Sequence, residues 1–131
     1  MSKILLLLIM LGSLLFADVQ HVVATPDFFK KGIKVIDIRT PGEWRETGIV
    51  QGAHTVMFFN EQGGYNVEEF ITELNKIVKK DETFALICRT GSRTTMISDF
   101  LDKEFGYKVI NLKGGMMKLM REGYKPALYR K

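Results

Sequence analysis

The single cysteine of this 131-residue chain stands in the run Cys88-Arg89-Thr90-Gly91-Ser92-Arg93. The apolar segment Phe84-Ala85-Leu86-Ile87 before it reads as a buried strand, and Ser92 opens a helical pattern. A cysteine between a strand end and a helix start lies where backbone N–H groups converge, and Gly91 permits a tight or left-handed turn. The partial positive charge of a helix N-terminus, with the guanidinium groups of Arg89 and Arg93, favours thiolate over thiol. Such a sulfur needs no paired histidine, because fixed dipoles stabilise its charge; it is a nucleophile suited to another sulfur atom. The competing reading is an inert, buried apolar side chain, as free cysteines often are. The polar and glycine neighbours of Cys88 argue against it.

Other residues with chemical potential read as structural. Asp37 and Arg39, two apart at the end of a second strand with Glu43 and Arg45 nearby, fit an ion pair that fixes a loop. His54 has no carboxylate or cysteine at ligand spacing, and His21 near the start of the domain is given no role. Trp44 is expected to pack. Met116, Met117 and Met120 with Leu119 form an apolar face, since no histidine or cysteine accompanies them as a soft-metal site would require. No metal and no cofactor are expected.

The elements that must position Cys88 alternate along the chain. Strands are expected at His21–Ala24, Lys34–Ile38, Gly52–Val56, Phe84–Cys88 and Val109–Leu112. Between them, helical patterns run through Phe28 and Phe29 after Thr25-Pro26, through Glu43 and Trp44 after Pro41-Gly42, and from Val67 to Lys79. Two more run from Ser92 to Phe105-Gly106 and beyond Gly114-Gly115. Such alternation predicts an α/β domain with a central, mostly parallel sheet and helices on both faces. Ligands in these domains bind beyond the carboxyl ends of the strands, where Cys88 falls.

The first residues are set apart. Lys3 is followed by an apolar run from Ile4 to Phe16 and then by the small residue Ala17, the pattern of a signal peptide over residues 1–17. The run is shorter than the ~20 residues that cross a bilayer core, so an uncleaved anchor is the alternative reading. Removal would leave residues 18–131 as one domain, periplasmic or secreted, with no membrane association and a monomer expected. The net charge of +4 is mild, with Lys and Arg interspersed among acids, so no nucleic-acid partner is expected. An exported chain with one cysteine has no internal disulfide, which again asks for a reason for Cys88.

Several segments together resemble the rhodanese-like domain family, over about His21 to Tyr124. Val35-Ile36-Asp37-Ile38-Arg39 with Pro41-Gly42-Glu43-Trp44 is similar to its amino-terminal signature, and Gly48–Ala53 to its glycine-rich segment. Cys88–Arg93 is similar to its active-site loop. Asn111-Leu112-Lys113-Gly114-Gly115 with Gly123-Tyr124 and Pro126 resembles its carboxyl-terminal signature. Ile49 and Gln51 depart from the histidine and proline frequent in the glycine-rich segment. The resemblance implies a three-layer α/β/α fold with a central five-stranded parallel sheet. It also implies transfer of a sulfane sulfur, from an anionic donor such as thiosulfate or polysulfide to a thiophilic acceptor, through a cysteine persulfide. Carried onto this chain, Cys88 is the catalytic nucleophile, and Arg89, Thr90, Gly91, Ser92 and Arg93 bind substrate as the persulfide cradle. The implied partners are small sulfur-containing anions and a thiol-bearing acceptor protein. Two rival functions share the fold. One is a sulfur carrier without free turnover. The other is a cysteine-dependent phosphatase or arsenate reductase, disfavoured because only four residues separate Cys88 from Arg93 and leave a tight loop.

Overall fold

The computed structural model describes residues 19–130. The expected leader at residues 1–17 lies outside them, and so does any structural test of export. Among the described residues no helix is long and apolar enough to cross a membrane.

Five strands form one parallel sheet: β1 (Gln20–Val23), β2 (Val35–Asp37), β3 (His54–Thr55), β4 (Phe84–Ile87) and β5 (Val109–Lys113), in the order β1-β5-β4-β2-β3. The central strand, β4, pairs with β2 from Val35↔Ala85 to Asp37↔Ile87 and with β5 from Phe84↔Val109 to Leu86↔Asn111. Both faces of β4 are covered, which is why its four residues are all buried and all apolar. Side-chain alternation splits the core in two. Phe84, Leu86 and Cys88 join Ile36, Ile38, Phe70, Leu74, Ile97 and Leu101 on one face. Ala85 and Ile87 join Phe28, Ile110, Leu112, Met116 and Leu119 on the other.

The first face is covered by α2 (Val67–Asn75) and α3 (Ser92–Phe105), the second by a 3₁₀ helix (Pro26–Lys31) and α4 (Gly115–Arg121). The fold is therefore the expected three-layer α/β/α arrangement around a five-stranded parallel sheet. A further helix, α1 (Pro41–Thr47), is started by a capping box in which Thr40 and Glu43 satisfy each other's backbone N–H groups. Several expected elements are shorter than their patterns, with β2 losing Lys34 and Ile38 and β4 losing Cys88, and two are cut back further. The helix predicted over 67–79 ends at Asn75, because the N–H groups of Lys76 and Ile77 turn to Glu73 and Leu74 in tight three-residue steps. This turn leaves Val78 in the core. The third strand shrinks to His54–Thr55 at the sheet edge, where only one neighbouring strand supplies partners.

Candidate active site

Cys88 directly follows β4, and the loop it opens is held from below by another element. The carbonyl of Cys88 accepts from Met116 N at 2.9 Å and that of Arg89 from Met117 N at 3.0 Å. Two otherwise orphaned N–H groups at the start of α4 are thus used to seat the cysteine loop. The contact requires glycine on both sides. A Cβ on Gly115 would meet the carbonyl oxygens of Cys88 and Arg89, and one on Gly91 would lie 2.9 Å from Gly114 N. Gly91 also has φ +97°, a left-handed conformation that costs other residues strain.

The cysteine side chain is fully buried. Its Sγ accepts from Gly91 N–H at 3.2 Å and, as a thiol, donates to Thr94 Oγ1 at 3.6 Å. Buried Thr94 in turn donates a hydrogen bond from Oγ1 to Gly91 O at 3.2 Å. The sequence reading did not single out Thr94; its signal was a threonine two positions into α3, on the turn that faces the strand end. Of the remaining loop residues, Arg89, Thr90 and Ser92 are exposed, with the Thr90 and Ser92 hydroxyl oxygens 3.5 Å apart.

Arg93, at the start of α3, is partly buried. Its guanidinium forms a two-pronged pair with Glu43, at 2.7 and 2.8 Å. Glu43 also takes part in the capping box of α1, so Arg93 ties the N-terminus of α3 to the N-terminus of α1. The pair holds the Glu43 carboxyl down at about 2, Arg93's hydrogen bonds outweighing the cost of burial, and it raises Arg93 in turn.

Asp37 and Arg39 form the structural pair read from their spacing, and both are buried. Arg39 also donates to Thr47 Oγ1 and to Gly48 O, each at 2.8 Å. Trp44 packs as expected, and its Nε1 additionally donates to Asp37 Oδ1 at 3.1 Å. The network joins β2 to the middle and the carboxyl end of α1. His54 is exposed on edge strand β3, and Met116 lies in the core. Among the described residues no cluster of three or more His, Cys, Asp or Glu is placed to hold a metal. His21, given no role from sequence, has its Nδ1 3.0 Å from the amide nitrogen of buried Asn111.

The chain is similar to several known proteins. The family model described as "Rhodanese-like domain" matches residues 25–122. A Bacillus subtilis protein named "Putative sulfurtransferase YtwF" is 32% identical over 83 residues, covering 63% of this chain and 69% of that protein. Among solved structures, a rhodanese-related protein from Thermoplasma volcanium superposes with a TM-score of 0.61 at 23% identity, covering 82% of this chain and 99% of the other. A rhodanese-like domain protein from Staphylococcus aureus gives 0.56 at 21% identity, covering 75% and 88%. At these identities the structural matches speak to the fold.

Proposed function

The chain belongs to the rhodanese-like domain family, and from that premise we propose that it is a sulfurtransferase that carries a sulfane sulfur as a persulfide on Cys88. The observation that carries this reading is the sulfur cradle. Cys88 Sγ is buried and accepts from Gly91 N–H in a short loop whose Arg93 is paired with Glu43. A cradle of this kind stabilises one sulfur atom, and then a second bonded to it, by N–H groups and by the N-terminus of a fourteen-residue helix. The relative named a sulfurtransferase supports the same class.

In the proposed reaction the Cys88 thiolate attacks the sulfane sulfur of a thiosulfate-like anion. An S–S bond forms at Sγ while the donor's own S–S bond breaks, and sulfite departs with the electron pair. A thiophilic acceptor, such as cyanide or a protein thiolate, then attacks the outer sulfur, and Sγ leaves as thiolate. Exposed Arg89 steers the anion to the loop, and Arg93 keeps the loop in place. We further propose that the chain acts outside the cytoplasm, on the strength of the leader pattern in residues 1–17.

Turnover of thiosulfate and cyanide by the purified protein, measured beside its intact mass, tests the reading. Parent protein should turn over and show the added mass of one sulfur atom after thiosulfate, and Cys88→Ser should lose both while keeping its circular dichroism. Stable added mass with negligible turnover would instead indicate a carrier. Activity in Cys88→Ser would remove Cys88 from the chemistry.

A further inference from the structure

We infer that Asn111, acting through Thr95, is a positioning residue for the sulfur cradle. A chain of hydrogen bonds from His21 on the edge strand holds the backbone that faces the persulfide. This rests on the sulfurtransferase reading and names residues for which that reading has no task.

The chain is continuous in the structure. His21 Nδ1 lies 3.0 Å from Asn111 Nδ2, Asn111 Nδ2 donates to Thr95 Oγ1 at 3.0 Å, and Thr95 Oγ1 donates to Gly91 O at 2.7 Å. The direction follows from the donor inventory. A threonine hydroxyl has one proton, and here it is spent on Gly91 O, so Oγ1 has only lone pairs to offer Asn111. Both amide hydrogens of Asn111 are thereby used, one on Thr95 and one on His21, whose Nδ1 accepts. The hydroxyl cannot rotate away from Gly91 without facing the Asn111 donor with its own.

A hydroxyl bonded to the carbonyl four residues back is common in helices and by itself would carry nothing. The second partner changes the reading. Asn111 is fully buried in β5 between the apolar Ile110 and Leu112, and its Oδ1 has no hydrogen-bond partner among the described residues. A buried amide with an unmade bond is costly, and an apolar residue at this position would remove the cost. What Asn111 supplies in return is a fixed direction for Thr95.

That direction bears on sulfur through peptide geometry. Gly91 O is held on the helix side by three donors: Thr95 N at 3.1 Å, Thr95 Oγ1 at 2.7 Å and Thr94 Oγ1 at 3.2 Å. In a planar trans peptide the C=O and the following N–H point in opposite directions. Drawing Gly91 O down into α3 therefore aims Ser92 N–H outward from the helix start, beside the Gly91 N–H that already meets Cys88 Sγ. The outer sulfur of a persulfide on Sγ would lie among these N–H groups.

The test uses the full chain with Thr95→Val, which keeps the shape and loses the hydroxyl, Thr95→Ser, which restores it, and Asn111→Leu. Two quantities are read: kcat and KM with thiosulfate and cyanide, and the rate at which iodoacetamide alkylates Cys88 at fixed pH, which needs no turnover. Thr95→Val and Asn111→Leu should each lower kcat about tenfold, less than the about hundredfold cost of deleting a direct donor. KM should stay within about twofold. Both variants should slow alkylation, and Thr95→Ser should return both rates to parent values. An alkylation rate that is unchanged, or faster as simple loosening of a buried thiol would give, overturns the inference. Should Asn111→Leu not fold, the helix-surface pair Thr95→Val and Thr95→Ser decides alone. If alkylation slows as expected but the parent protein shows no turnover, the positioning role holds and the sulfurtransferase reading falls.

Discussion

At the scale of single residues, the two arginines of the cysteine loop carry the same charge in different surroundings. Arg89 is exposed at the rim, so under the proposed reaction its pull on an anionic donor would be long-range and screened. Arg89→Ala should raise KM for thiosulfate about fivefold, with little change in kcat and a weaker dependence on salt. Arg93 is held on Glu43, and its loss frees the start of α3 from α1. Arg93→Ala should therefore lower kcat, by about tenfold to hundredfold, because small displacements of aligned groups are costly in rate. Kinetics of both variants at two salt concentrations separate the roles; a kcat defect confined to Arg89→Ala would reverse them. The same pair has a pH signature. The Glu43 carboxyl sits at about 2 in the fold, below its ordinary 4.5, so its stabilisation is complete above that ordinary value and is lost as pH falls from there toward 2. Melting temperatures across that interval should fall more steeply for the parent than for Glu43→Gln, and parallel curves would show that the ion pair contributes nothing there.

At the scale of elements, the site depends on how closely α4 approaches the turn after β4. The Gly114-Gly115 step lets the Met116 and Met117 N–H groups reach the Cys88 and Arg89 carbonyls. A methyl group on Gly115 would stand 2.6 Å from Arg89 O, with backbone rather than a flexible side chain in its way. Gly32, which caps the 3₁₀ helix at φ +73°, has open space around the same methyl. Gly32→Ala should thus cost about 1 kcal/mol from the left-handed backbone alone and leave turnover unchanged. Gly115→Ala should cost more and depress kcat, because the cysteine loop must shift. Urea denaturation with turnover on both variants checks this, and equal losses would mean that the approach of α4 is not what seats the loop.

At the scale of the whole molecule, the buried Asp37–Arg39 pair joins β2 to α1 and to the segment that follows it. With both charges shielded from water, removing one leaves the other uncompensated. Arg39→Ala should destabilise the domain by about 3–5 kcal/mol, while Asp37→Leu with Arg39→Met together should cost less than Arg39→Ala alone. Denaturant midpoints for the three proteins test the order. A double variant less stable than Arg39→Ala would mean that the charges contribute more than their burial costs.

Much of this architecture is written locally. The alternation of strand and helix patterns, the glycine at Gly106 that stops α3, and a cysteine at a strand's carboxyl end are short-range signals, because periodicity and turn chemistry act over a few residues. They were enough to predict an α/β domain with Cys88 at its binding edge, and the spacing of Asp37 and Arg39 was enough to predict their pair. The partners of Arg93, Thr95 and His21 were not legible in this way. Glu43 lies fifty residues before Arg93, and His21 meets Asn111 across ninety residues only because β1 sits beside β5 at the sheet edge. Strand order decides which side chains meet, and no local period encodes strand order. The sequence by itself determined the order of elements and placed its one cysteine at the end of the central strand, whereas the tertiary structure decided what holds that cysteine's loop in place.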